Sequence, residues 1–208
     1  CNIALGINAY GTAAAGTYNI ALGDTAMGGS LVTGADNIAM GRTAMDALLA
    51  GADNIAIGRE AYGTAEAGTY NIAIGNTAMG GSLVTGLSNI AIGQNAADAL
   101  LAGACNVAIG RNALGAATTG CQNIAIGELA LGACTNTGKW NVGIGTNSLC
   151  AVTSGSYNVA IGFETGKSVT TTDCTTNIGK GANQTTACVI CLNGICVMAA
   201  QFTTTSDC

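Results

Sequence analysis

A short apolar triplet, headed by Asn and closed by Gly, returns at a nearly fixed interval along this chain. The motif N-[IV]-[AG]-x-G begins at Asn2, Asn19, Asn37, Asn54, Asn71, Asn89, Asn106, Asn123, Asn141, Asn158 and Asn177, with gaps of 17, 18, 17, 17, 18, 17, 17, 18, 17 and 19 residues. Three units form a block of 52, and residues 2–53 match residues 54–105 at 39 of 52 positions. Such self-similarity is the mark of a stacked repeat architecture. The expected fold is all-β: a parallel β-solenoid of about eleven coils over residues 1–181, followed by a C-terminal hairpin and tail over 182–208.

Each position of the unit has its own pattern. Position 2 is Ile or Val, and position 4 is Leu, Met or Ile until Lys180. Alternation with period two places both on one face of a short strand. The expectation is that this pair fills the lumen and that position 3, Ala or Gly, forms a flat outer column able to admit another backbone. Position 5 is Gly from Gly6 to Gly181, which suits a corner of positive φ or close approach. A second Gly, from Gly16 to Gly155, falls three residues before the next Asn in nine units. Charges at positions 6 and 7 (Asp24, Arg42, Arg59, Glu60, Arg111, Glu128, Glu164) mark a solvated corner. Ala at position 8 and Leu, Met or Tyr at position 9 suggest a second short strand. A helical repeat is the alternative, but two Gly per unit would each cost about 1 kcal/mol in a helix interior.

The column of eleven Asn residues is read as structural. Identical amides stacked at strand spacing bond to one another from coil to coil, and Asn also tolerates left-handed backbone and caps turns.

Composition narrows the function classes. The chain has 208 residues with 32 Gly and no Pro, which suits a continuous ladder. Net charge is −5, and six Lys and Arg are scattered, so no basic stripe addresses nucleic acid or an acidic membrane surface. The longest apolar stretch, 187–202, is broken by Asn193-Gly194 and does not read as a membrane span. There is no His, hence no Ser-His or Cys-His pair and no imidazole acid or base. The carboxylates are dispersed, Glu60 and Glu66 included. No catalytic, cofactor or metal site is assigned. A zinc site at Cys188, Cys191 and Cys196 lacks a fourth ligand, and an ice-binding row at position 7 is interrupted by Glu60 and Leu129.

Ten cysteines fit an oxidising compartment. Cys105–Cys121 and Cys134–Cys150 are each 16 residues apart, nearly one coil, and are expected to staple adjacent coils. Cys174–Cys188 is a further candidate pair. The segment ACVICL-NG-ICVMAA predicts a β-hairpin with an Asn193-Gly194 turn, facing Leu192 with Ile195 and Cys191 with Cys196 as a disulfide. The opening Cys1 reads as the start of a processed or excised chain, with Cys1–Cys208 joining subunits head to tail or Cys1 lipidated. Asn183-Gln184-Thr185 is a candidate N-glycan sequon, and the Thr runs 170–172 and 203–205 are candidates for O-glycans.

The units NIAIGREAYGTAEAGTY and NVAIGRNALGAATTGCQ resemble the head repeats of YadA-type trimeric autotransporter adhesins, which also occur in phage and viral tail fibres. The resemblance spans residues 2 to about 181. It implies a left-handed parallel β-roll, three chains side by side, and an adhesive role. The expected function is a structural subunit of an extracellular fibre, assembled by self-association. The alternative is a trimeric adhesin or tail-fibre head that binds a surface receptor or glycan.

Overall fold

A computed structural model describes residues 1–11, 16–29, 31–65, 67–187, 189–193 and 195–198. Eleven three-residue strands recur along the chain: β1 (Ile3–Leu5), β2 (Ile20–Leu22), β3 (Ile38–Met40), β4 (Ile55–Ile57), β5 (Ile72–Ile74), β6 (Ile90–Ile92), β7 (Val107–Ile109), β8 (Ile124–Ile126), β9 (Val142–Ile144), β10 (Val159–Ile161) and β11 (Thr176–Ile178). They are followed by β12 (Val189–Leu192) and β13 (Ile195–Met198). All thirteen form one sheet in chain order. β1 to β12 pair in parallel, so each coil returns the chain beside its own previous strand, and β12 pairs with β13 antiparallel. This is a β-solenoid of about eleven turns with a terminal hairpin, and among the described residues no helix occurs.

The register is that of the repeat. Ile20 lies opposite Ile38, Ala21 opposite Ala39, and Leu22 opposite Met40. Evenly spaced bonds join consecutive coils: the Ile20 amide donates to the Asn37 carbonyl, and the Gly23 amide to the Leu5 carbonyl, both at 2.8 Å.

The inward and outward faces are the reverse of the expectation. Position 3 is buried: Ala21, Ala39, Ala56, Ala73, Ala91, Ala108, Ala125 and Ala160 are all 0% exposed. The Ile and Val of positions 2 and 4 are half-buried or exposed. The cause is the bore of the coil. One short strand faces a turn across a narrow lumen, which holds a methyl group at position 3, another at position 8 (Ala26, Ala61, Ala96), and one larger side chain at position 9 (Met27, Met45, Tyr62, Met79, Leu114, Leu131, Leu149). After the turn each coil adds one more filler, such as Val32, Leu48, Val84, Leu100 or Val152. Where position 3 becomes Gly143, position 8 becomes the buried Ser148, and a Cβ on Gly143 would stand only 3.0 Å from the Ser148 hydroxyl. Volume lost on one wall is thus returned on the other, as close packing requires.

Positions 8 and 9 belong to turns; the expected second strand does not form. A reason lies in the backbone: positions 7 and 9 hold positive φ with side chains other than Gly, including Thr43 (53°), Met45 (55°), Glu60 (57°), Tyr62 (55°) and Leu129 (56°). Alternating left-handed residues curl the chain instead of extending it. At position 5, glycine is required twice over. Gly93 sits at φ +132°, and a Cβ there would lie 2.7 Å from the Gly110 carbonyl oxygen of the next coil. The second glycine has ordinary φ and serves close approach: a Cβ on Gly120 would fall 2.7 Å from the Gly138 oxygen and 2.9 Å from the Asn123 amide nitrogen.

The last coil is registered two residues earlier than its Asn motif. Thr176 pairs with Val159, Asn177 with Ala160 and Ile178 with Ile161. Thr175 therefore stands at position 1 and Gly179 (φ +107°) at the corner. Asn177 occupies the inward slot of position 3, and Lys180 is a solvent-facing corner residue, not an inward one. Beyond it, the hairpin continues the sheet with Leu192 opposite Ile195 and Cys191 opposite Cys196.

Candidate functional site: the asparagine column and the strand face

Asn at position 1 and Ala at position 3 share parity along the strand, so both point into the coil. Asn37, Asn54, Asn71, Asn89, Asn123, Asn141 and Asn158 are 0% exposed, and Asn19 and Asn106 are 1% exposed. Buried amides need partners, and each has them. Asn89 is representative. Its Nδ2 donates to the Gly103 carbonyl of its own coil at 2.9 Å and to Asn71 Oδ1 of the previous coil at 3.1 Å. Its Oδ1 in turn accepts from the backbone amide (3.0 Å) and side-chain amide (3.1 Å) of Asn106. Each Asn thus ties its coil shut and binds the coil to its neighbours.

Two tyrosines edit the column. The Tyr10 and Tyr62 hydroxyls accept from Asn19 Nδ2 and Asn71 Nδ2, each at 2.8 Å, in place of the preceding Asn. Burial pushes the Tyr62 phenol far above its ordinary range, against the opposing effect of the Asn71 bond. At the far end the column stops. The Thr175 amide and hydroxyl donate to Asn158 Oδ1 at 2.8 and 2.7 Å, while Asn177 turns to Gln184, whose amide donates to Asn177 Oδ1 at 2.6 Å. Asn2 begins the series, donating to the Gly16 carbonyl at 2.9 Å. The left-handed residue at this corner is not Asn but the one before it, as at Asp36 (57°), Asp53 (56°) and Trp140 (56°).

The outer side of the sheet carries the residues whose hydropathy points to the core. Positions 2 and 4 form two parallel apolar columns without a charge between β1 and β11, and Ile57, Ile92, Ile109 and Ile126 are each 37% exposed. The residue before each Asn and the residue after each position-5 Gly border this face. On the first border, Trp140 and Tyr157 stack with ring centroids 4.7 Å apart and 14° between planes, with the Lys139 ammonium 5.9 Å over the indole. On the second, Arg111 pairs with Glu128 and Arg59 lies 3.9 Å from Glu60.

The expected inter-coil disulfides are absent. Cys105, Cys121, Cys134 and Cys150 are free thiols, as are Cys1 and Cys174. A separation of 16 is one short of the 17-residue coil that begins at Asn106 and two short of the 18-residue coil that begins at Asn123, so partners fall out of step: in the ladder, Gln122 donates to the Ala104 carbonyl, which places Cys105 level with Gln122 and not with Cys121. Cys134 does influence Cys150, whose thiol is raised chiefly by burial and further by Cys134. Cys191 is disulfide-bonded. Cys188 and Cys208, and with them the pairs Cys174–Cys188 and Cys1–Cys208, lie outside the described residues, as do Glu66 and Thr203–205. The exposed Asn183 exchanges hydrogen bonds with Ser168, accepting from its amide at 2.8 Å and donating to its hydroxyl at 2.7 Å.

Glu60, one of the dispersed carboxylates, lines an open groove with Thr43, Asp46 and Thr64. Among the described residues no three of His, Cys, Asp and Glu converge as metal ligands, and no helix is long and apolar enough to cross a membrane. Comparison with known proteins leaves the chain on its own physical evidence: no protein-family model, curated protein or solved structure matches it.

Proposed function

We propose that this chain is a structural, non-catalytic subunit of an extracellular fibre, built by self-association of solenoids through the outer strand face. The observation that carries the reading is the pair of outward Ile and Val columns. At strand spacing, eleven rungs give a strip roughly 50 Å long. Monomers seldom leave continuous apolar patches beyond about 300–600 Å² uncovered. A regular, flat and uncharged face of this length suits a second copy better than solvent. The lack of His supports a non-catalytic role. The extracellular placement rests on the ten cysteines and on the resemblance to adhesin head repeats.

Sedimentation velocity and negative-stain imaging of the purified chain test this. Concentration-dependent association, abolished by Ile92→Lys with Ile109→Lys, is expected. A chain that stays monomeric at high concentration with those isoleucines intact would refute it. Small closed assemblies of side-by-side rods that never lengthen into fibres would favour the receptor-binding head domain instead.

A further inference from the structure

The lumen of the third 52-residue block departs from the first two at a pair of neighbouring places. Leu114 stands where they have Tyr10 and Tyr62, and Asn136 stands where they have the fillers Val32 and Val84. The filler that shares a coil with Leu114 is no larger than before, since Ala117 matches Ala65. Leu114 and Asn136 are both 0% exposed. One block earlier the phenol brings a hydroxyl to a defined spot. The Tyr62 oxygen accepts from Asn71 Nδ2 at 2.8 Å and lies against the point that a Cβ on Gly68 would occupy. The Gly86 carbonyl oxygen is 2.6 Å from that same point. In the third block the corresponding point, on Gly120, is 2.7 Å from the Gly138 carbonyl oxygen and 3.3 Å from the Asn136 carbonyl oxygen, so Asn136 borders the spot. Asn136 Oδ1 accepts from the Gly138 amide at 2.7 Å, which fixes the orientation of the side-chain amide. Its Nδ2 is buried without a hydrogen-bond partner.

We infer that an ordered water stands in the lumen between the coils headed by Asn106 and Asn123, at the place the Tyr62 hydroxyl takes one block earlier, accepting from Asn136 Nδ2 and donating to the Gly138 carbonyl. Native structures leave few buried donors unpaired, and internal water is the usual partner where no protein group reaches. The chemistry of the spot selects the guest. Nδ2 is a donor, so it offers a metal cation no ligand. Among the described residues no charged side chain is buried in the lumen, so an anion would be stranded there at high cost. A buried water needs at least two polar partners. The Gly138 carbonyl, which accepts from Asn123 Nδ2 at 2.9 Å, has a second lone pair to give. Losing the phenol also frees Asn123 Nδ2 from the hydroxyl bond that its counterpart Asn71 makes, and it turns to Asn106 Oδ1 at 3.2 Å. The two substitutions are thus one exchange, in which a tethered hydroxyl gives way to a water molecule and an amide that holds it.

Oxygen-17 magnetic relaxation dispersion of the full chain counts long-lived internal waters, and circular dichroism reports the fold of each variant. Leu114→Tyr with Asn136→Val restores the pair found in the second block, and this double variant should hold one long-lived water fewer than the parent. Asn136→Val alone should lose the same water. In the parent chain, the Asn136 side-chain amide protons should show a direct cross-peak to water in rotating-frame Overhauser spectra, a readout that needs no variant to fold. Equal counts in the parent and a folded double variant, or an Asn136 amide without that cross-peak, overturn the inference.

Discussion

Asn106 offers the sharpest test of what holds neighbouring coils together. Its side chain is 1% exposed and makes four bonds: Oδ1 accepts from the Asn123 amide at 2.9 Å and from Asn123 Nδ2 at 3.2 Å, while Nδ2 donates to Asn89 Oδ1 at 3.1 Å and to the Gly120 carbonyl at 2.8 Å. In Asn106→Ala, two of the four partner groups keep other bonds. Asn89 Oδ1 retains the Asn106 backbone amide at 3.0 Å, and Asn123 Nδ2 retains the Gly138 carbonyl at 2.9 Å. The Asn123 N–H and the Gly120 C=O lose their side-chain partner where solvent does not reach. At about 1–3 kcal/mol for each orphaned buried group, the loss should be about 4 kcal/mol. Because a solenoid couples each coil mainly to its neighbours, the damage should be local. Urea unfolding followed by circular dichroism gives the total, and hydrogen exchange should show lost protection from Asn106 to Trp140 with the first three coils unchanged. A variant within about 0.5 kcal/mol of the parent, with Asn123 still protected, would refute the assignment of inter-coil cohesion to the amide column.

Other expectations follow from the faces and the backbone. Ala91→Leu overfills the lumen and should cost at least about 1–3 kcal/mol, whereas Ile92→Ser, one residue along, should leave the thermal stability of the isolated chain nearly unchanged; equal losses would contradict the inside-out assignment. Leu129→Asn relieves a left-handed position and should stabilise by about 0.5–1 kcal/mol, read as a shift in urea midpoint. Asp98 has its carboxyl raised by burial, opposed by the Gly81 amide. Its folded form holds a proton more tightly than the unfolded one, so it lowers stability as pH rises from the ordinary carboxylate value through the raised one, and the penalty persists above. Asp98→Asn should therefore be the more stable variant at neutral pH and flatten the melting-temperature profile between acid and neutral conditions.

The repeat, the strand in each unit and the hairpin register were legible because each follows from spacing: parallel coils must share a period, and an Asn-Gly turn fixes its pairing. Which side of the strand faces in is not legible from hydropathy, because both sides are apolar and the larger pair has the look of a core. The decisive signal was present. An Asn that bonds its counterparts from coil to coil is best shielded from water, and position 1 shares a face with position 3, so Ala had to point inward with it. The gap of 19 before Asn177 was likewise a warning, since 17 residues beyond Asn158 lies Thr175. The left-handed residues at positions 7 and 9 could not be read from their types. Asn8 and Asn112 hint at such a backbone, but Met45, Tyr62 and Leu131 do not; stacking against the next coil imposes it.

The side-chain amides of the column are joined in a single sense, each oxygen receiving from ahead and the nitrogens reaching back, except at Asn19 and Asn71, where a tyrosine hydroxyl takes the bond. Their small dipoles add instead of cancelling, so the rod is a vector: turning it end over end yields a different object. A bundle of such rods has a choice that a column of symmetric contacts would not offer, between aligned arrows and opposed ones. Thr175 is the arrowhead, where a hydroxyl takes its last bond backwards and offers the next coil no amide to follow.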